Sequence, residues 1–189
     1  MGSNFKRVNV KTLKDNVFKL LDNDWMLITA GDKGSFNTMT ASWGAFGILW
    51  NKPIAIGFIR PQRYTSEFIN KASFFTLCIF TNQYRDTLNY LGSHTGRASD
   101  KIAHSGLTPL ATEHGNIYFS EARFVMECKK LYVDDLKSDN FMITNLVKDI
   151  YPSKDFHRFF IGEISDCLST DVLLPEKDIK FEDKEENDL

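Results

Sequence analysis

Between Trp25 and Ile59 the chain reads as three β-type runs broken by turns, and this pattern limits the fold more than any other feature of the sequence. Trp25–Ala30 is a short apolar run closed by Gly31-Asp-Lys-Gly34. Asn37–Leu49 is a second strand, in which Gly44 and Gly47 mark bulges or points of close backbone approach. Asn51-Lys-Pro53 reads as a turn and Ile54–Ile59 as a third strand. Phe74–Phe80 and His157–Leu168 are further strands, and Ile117–Val133 holds a long strand or hairpin. Helices are short: Thr65–Lys71, Gln83–Leu91 and Asp139–Lys148, with a loop over Gly92–Gly96 and a helical turn over Asp100–His104. Strands dominate and short helices sit between them. That order predicts a mainly β protein, a closed or nearly closed antiparallel β-barrel with short peripheral helices rather than βαβ units. No GxGxxG follows the first strand, which argues against a Rossmann fold.

A length of 189 residues predicts one domain with a substantial core, spanning 1–174. Residues 175–189 are rich in Glu, Asp and Lys, and read as a solvated, poorly ordered tail. A net charge of −2 gives no support to nucleic-acid binding by bulk charge. Apolar runs break well before the ~18 residues of a membrane span, and no apolar h-region opens the chain. The expectation is a cytoplasmic protein without a membrane segment. Cys78, Cys128 and Cys167 lie far apart in strand-like sequence, without CxxC or Cys/His spacing. They read as buried, reduced thiols, and no metal site is expected.

Two stretches carry candidate chemistry. In residues 37–43, Thr38, Thr40 and Ser42 alternate with Met39, Ala41 and Trp43. On a strand, one face carries hydroxyls and the other carries Met, Ala and Trp. Small residues let a flat ring approach the backbone, and Met and Trp supply polarizable surface. On periodicity alone, a strand with one solvated face is the favoured reading of the same alternation. The second stretch is Arg60-Pro-Gln-Arg-Tyr-Thr-Ser66. A strand ends in Arg60, Pro61 fixes a turn, and Arg63, Tyr64, Thr65 and Ser66 open a helix, with Thr65 or Ser66 as N-cap. A helix start offers free backbone N–H groups and a positive dipole end. An arginine there opposes the dipole unless an anion sits between them, so the stretch fits a phosphate receptor as well as a capped surface helix.

Taken in order, Asn37-Thr-Met-Thr-Ala-Ser-Trp43, Asn51-Lys-Pro53 and Arg60-Pro-Gln-Arg-Tyr-Thr65 resemble the flavin reductase-like family of FMN-binding split-barrel proteins, of the flavoredoxin type. The likeness continues through Gly92-Ser-His-Thr-Gly-Arg-Ala-Ser-Asp-Lys101, Gly106-Leu-Thr-Pro109, Glu121-Ala-Arg123, His157-Arg158 and Ile161-Gly-Glu-Ile164. It covers residues 20–168. The resemblance implies a homodimer of split β-barrels with FMN at or near the subunit interface. It implies ring contacts from Met39, Thr40, Ala41, Ser42 and Trp43. Arg63, Tyr64 and Thr65 would hold the phosphate, with Arg60 as helper, and Ser93, Arg97 and Lys101 would add contacts from the loop. Two positions depart from the family pattern: Thr95 stands where Ser is usual, and Ala98 where an Asp is expected after Arg97. The implied activity is an NAD(P)H-dependent flavin or small-molecule reductase acting through bound FMN. The alternative is an FMN electron carrier fed by a partner such as a ferredoxin. Hydride transfer to a flavin requires no protein acid or base, so no catalytic residue is assigned. His157 reads as a structural histidine, and His94, beside Ser93, as the better candidate for a site edge.

Overall fold

The structure is a computed structural model and describes residues 5–170. The charged stretch 175–189 lies outside the described residues. Among the described residues there are ten strands: β1 (Lys6–Arg7), β2 (Met26–Asp32), β3 (Ser35–Ala41), β4 (Gly44–Leu49), β5 (Lys52–Ile59), β6 (Phe74–Ile79), β7 (Pro109–Ala111), β8 (Ile117–Phe119), β9 (Phe124–Asp135) and β10 (Arg158–Ser169). The helices are α1 (Val17–Lys19), α2 (Thr65–Lys71), α3 (Arg85–Ser93) and α4 (Thr144–Ile150).

The main sheet runs β3-β2-β6-β9-β10-β5-β4, antiparallel throughout, with β1 added beside β10 and β7-β8 as a separate pair. Its two edges, β3 and β4, are joined by only Ser42 and Trp43. Three Cα steps reach at most about 11 Å. Seven strands laid flat would hold those edges roughly 29 Å apart. The sheet therefore has to curl until its edges nearly meet, and β3 and β4 do not pair. This is a split barrel, and the two-residue linker sits at the split.

Curvature is concentrated in β10. Its register against β9 shifts between Ile161 and Gly162 and again between Ile164 and Asp166. A Cβ at Gly162 would lie 2.7 Å from a ring carbon of Phe75 and 2.8 Å from Cβ of Cys128, so only glycine lets the strand bend over that ring. One apolar cluster fills the barrel around Met26, Ile28, Phe75, Leu77, Met126 and Phe160. A second lies outside it, where Leu27, Cys78 and Val125 meet Leu88 and Leu91 of α3 and Phe119 of β8. Because β2 is covered on both faces, it reads as a continuous apolar run rather than an alternating one. Burial raises the pKa of all three thiols, to about 12 for Cys78 and Cys167, so none is a reactive thiolate.

Helix α2 spans the residues expected, but its N-cap is Tyr64, without a side-chain cap bond, rather than Thr65 or Ser66. The expected single strand 37–49 is two strands, broken at the split. Gly44 is a close approach, since its Cβ would sit 2.7 Å from the Ile56 carbonyl. Gly47 is not: a Cβ there meets nothing within 4 Å, and the β4–β5 register passes it without a shift. The turn lies at Trp50-Asn51, both in the left-handed region at φ 51° and 56°. Lys52 and Pro53 already belong to β5. Pro53 is tolerated because the β5–β10 ladder starts one residue later, at Ile54. Within 117–133, β8 and β9 do not pair with each other; β8 pairs β7 and β9 pairs β6 and β10. A 3-10 turn over Asn82–Tyr84 precedes α3, which begins at Arg85 and takes in Gly92 and Ser93, expected as loop. The helix expected over 139–148 is a 3-10 turn, Ser138–Asn140, followed by α4.

Candidate functional site

A cleft of about 470 Å³ opens where β3, the end of β5, the start of α2 and the loop after α3 converge. The chain turns out of β5 at Pro61, and Arg63 N–H donates to the Arg60 carbonyl at 3.0 Å. Helix α2 then starts at Thr65, which lines the cleft, while the N–H groups of Ser66 and Glu67 donate to the carbonyls of Arg63 and Tyr64. Thr65 is buried. Its Oγ1 accepts from Asn37 Nδ2 at 2.8 Å, which leaves the Thr65 O–H free to donate. Gly96 presses against the same Asn37: a Cβ there would lie 2.4 Å from Oδ1.

Two cations face this cleft. Arg63 Nη1 donates to the Gly92 carbonyl at 2.9 Å. Lys101 is 3% exposed, and its Nζ donates to the carbonyls of Leu91 (2.8 Å) and His94 (3.0 Å). Burial, aided by the Arg63 charge, lowers the Lys101 pKa to about 8. Among the described residues neither cation forms an ion pair with a carboxylate. A desolvated ammonium beside a guanidinium is unfavourable unless an anion joins them. The cleft therefore has the charge, donors and size of a phosphate-ester site.

At the barrel split the strand passes into a second cavity, of about 690 Å³, lined by Ser42, Trp43, Phe58, Leu136 and Tyr151 among others. The Trp43 ring is half-exposed and lies against the buried His157 imidazole, centroids 4.9 Å apart. His157 Nδ1 is 2.8 Å from the Tyr151 hydroxyl. Burial, with Arg60 and Arg63 nearby, lowers the His157 pKa to about 4, so the ring is neutral at pH 7. Arg60 lines the cleft but reaches the other way: its guanidinium pairs with Asp155 at 2.5 Å, donates to the Ile150 carbonyl at 3.0 Å and covers the Tyr151 ring.

The residues singled out in the sequence thus fall into three groups. Met39, Arg60, Arg63, Tyr64, Thr65, Ser93 and Lys101 line the cleft, and Ser42 and Trp43 line the adjoining cavity. Thr40 turns to α3, its hydroxyl bonded to the Leu88 carbonyl, and Ala41 packs into the barrel core. Arg97 lies outside the cleft lining, over the Tyr64 ring and paired with Glu67. Glu67 is thus the carboxylate that holds Arg97 here, Ala98 offering none. Ser93 Oγ donates to the Asn89 carbonyl at 2.8 Å. His94 lines the cleft and stacks on Tyr90 at 4.1 Å. Sequence reasoning missed Asn37, Tyr151 and Asp155. Asn37 was visible as the first residue of the 37–43 stretch; Tyr151 and Asp155 meet the site through Arg60, some ninety residues away in sequence.

No helix is long and apolar enough to cross a membrane, and no group of metal-ligating side chains clusters among the described residues. The sequence profile described as "Flavin reductase like domain" matches residues 20–175. Solved structures with the same fold include an FMN-binding domain of a flavin reductase-like enzyme from Shewanella baltica (17% identity, TM-score 0.65, 90% of this chain and 79% of that one). Flavoredoxin of Desulfovibrio vulgaris (24%, 0.62, 90% and 79%) and an FMN-binding protein from Thermus thermophilus (20%, 0.64, 91% and 84%) also share it. No curated protein sequence matches the chain.

Proposed function

The chain belongs to the flavin reductase like family, and on that premise we propose that it is an FMN-dependent oxidoreductase that takes electrons from NADH or NADPH. The observation that carries this reading is the pair of cations, Arg63 and Lys101, in one cleft without a carboxylate partner among the described residues. They fit the phosphate of FMN, with the Thr65 hydroxyl as a further donor. Met39 lies where the cleft meets the barrel, and Ser42 and Trp43 continue the same edge into the larger cavity. That edge fits a flat ring lying along the split, its polar rim meeting the backbone around residues 41–43. When bound, FMN would carry the electrons between donor and acceptor. Lys101 and Arg63 would neutralise its phosphate, Trp43 would wall the ring, and the neutral His157–Tyr151 pair would hold Trp43 in place.

Ile48, Leu49 and Trp50 at the tip of the β4–β5 hairpin are exposed, and so are Leu131, Tyr132 and Val133 of β9. These surfaces support a homodimer. Three buried, free thiols suit a reducing compartment, the cytoplasm. Titrating the protein with FMN and then adding NADH or NADPH without oxygen tests the reading. Saturable binding followed by prompt bleaching is expected. Binding without bleaching by either nucleotide removes the nucleotide-dependent activity and leaves a carrier fed by a protein partner.

A further inference from the structure

The cavity at the barrel split, of about 690 Å³, is walled on one side by the segment between β1 and β2, and it differs in charge from the anion cleft. Its size falls within the ~300–1,000 Å³ of ligand pockets. Helix α1 runs into a π-turn over Leu20–Asp24 that buries Leu20 and Leu21. Leu21 packs where Gly44 has no side chain, its Cδ2 3.4 Å from where a Cβ would lie. The turn is held in place: Trp25 Nε1 donates to the Asp22 carbonyl at 2.9 Å, and the Arg85 guanidinium lies 4.0 Å over the Trp25 ring and donates to the Asn23 carbonyl.

Four aromatic side chains line the cavity, Phe18, Trp43, Phe58 and Tyr151, and two of them, Phe18 and Trp43, are exposed. Two side-chain donors in the lining have no partner among the described residues. Asn16 uses Oδ1 on the N–H groups of Phe18 and Lys19, at 3.0 and 3.2 Å, and keeps its amide nitrogen. The Ser42 hydroxyl is the other. Lys19 is the cation of this lining, and both oxygens of Asp24 hold its ammonium, at 2.8 and 2.9 Å. Asp22 adds a negative charge, and Arg60, which covers the Tyr151 ring, is tied to Asp155. An anion entering here meets a neutralised ammonium and a carboxylate, whereas the cleft offers it two cations.

We propose that this cavity takes the electron acceptor, that the acceptor is an uncharged aromatic of the quinone class, and that Asp24 sets this preference by holding Lys19. A flat conjugated ring stacks against the aromatic walls, and its carbonyl oxygens accept from Asn16 Nδ2 and the Ser42 hydroxyl. The reaction balances as a two-electron reduction. NADH or NADPH gives two electrons and one proton and is left oxidised, water gives the second proton, and both quinone C=O groups become C–OH. Acceptors that carry a phosphate or sulfonate are disfavoured by the same lining. This rests on the oxidoreductase reading above and names its acceptor.

Calorimetric titration with anthraquinone-2-sulfonamide and anthraquinone-2-sulfonate, at low ionic strength, tests it in the FMN-loaded and the flavin-free protein. The two probes match in shape and differ by one negative charge. The sulfonamide is expected to bind at least tenfold more tightly in both forms, and the FMN-loaded protein to reduce it with NADH or NADPH at a kcat/KM at least tenfold higher. Asp24→Asn frees the Lys19 ammonium and is expected to raise sulfonate affinity at least threefold with the sulfonamide unchanged. Should Asp24→Asn fail to fold, Lys19→Met, at an exposed position, leaves Asp24 unpaired and is expected to weaken the sulfonate at least threefold further, again with the sulfonamide unchanged. Equal affinities for the two probes in the native protein, or no binding of the sulfonamide, overturn the proposal. A preference that both variants leave in place removes the role of Asp24. A flavin-free protein that shows the preference, retains no FMN and reduces neither probe keeps the cavity's selectivity and loses the function proposed above.

Discussion

Lys101 and Arg63 line one cleft, and burial together with the Arg63 charge holds the Lys101 ammonium at a pKa of about 8. A bound dianion restores the missing counter-charge and raises that pKa, so binding near pH 8 takes up a proton. FMN affinity is therefore expected to be steady up to pH 7 and to fall between pH 8 and 10. Lys101→Met should bind FMN weakly and flatten this fall. Titrations across the range check it, and an affinity that is constant to pH 10 in the native protein contradicts it.

Arg63 reaches the cleft from an exposed position, and among the described residues its guanidinium donates to the Gly92 carbonyl. Arg63→Ala is expected to weaken FMN more than tenfold, in line with the ~1.5–3 kcal/mol of a charge-assisted hydrogen bond. Riboflavin, which lacks the phosphate, should bind both proteins alike. Equal loss for the two ligands would mean that Arg63 acts on something other than phosphate.

Arg60 should behave in the opposite way. Its pairing with Asp155 and the Ile150 carbonyl ties the barrel to the segment between β9 and β10. The second oxygen of Asp155 is buried and has no hydrogen-bond partner among the described residues, so this side chain depends on Arg60 and Gln62. Arg60→Met is expected to cost about 1–3 kcal/mol in urea unfolding and to change FMN affinity less than threefold.

Gly96→Ala places a methyl against Asn37 Oδ1, and Asn37 in turn orients the Thr65 hydroxyl. Flavin affinity is expected to drop several-fold with global stability reduced by no more than ~1 kcal/mol. Calorimetric binding and thermal unfolding, run on one preparation, separate the two effects.

His157 has a folded pKa of about 4 against an ordinary value of 6.5. The unfolded chain binds a proton between those values and the folded one does not. Stability contributed by the neutral ring is thus complete above pH 6.5 and is lost as pH falls towards 4, by up to roughly 3 kcal/mol. His157→Gln should flatten the stability curve over that window, which urea unfolding at stepped pH measures.

Much of this protein was legible from local pattern. Helix α2 was readable to the residue because Arg60-Pro61 ends a strand, Thr65 opens the helix and the helix is short enough for local signals to decide it. The Arg63–Thr65 stretch pointed to a phosphate receptor by the same means, because an arginine at a helix start is unfavourable without an anion, but a capped surface helix fitted it as well. The break at Ser42-Trp43 was not legible. It exists because the sheet closes on itself, and closure is set by pairings more than a hundred residues apart, such as Ile54 with Glu163. The same holds for Thr40, whose hydroxyl looked free on a strand face but meets α3, and for Arg97, whose partner Glu67 lies thirty residues away. Lys101 was readable as a motif member. Its burial against two carbonyls, which gives it the lowered pKa, was not.

The most direct test is the visible absorption spectrum of the purified protein reconstituted with FMN, recorded before and after NADH or NADPH is added without oxygen. A shifted, protein-bound flavin spectrum that bleaches promptly with one nucleotide is the predicted result. A spectrum identical to free FMN, with no retention of flavin on gel filtration, would contradict the assignment of the Arg63–Lys101 cleft and the function built on it.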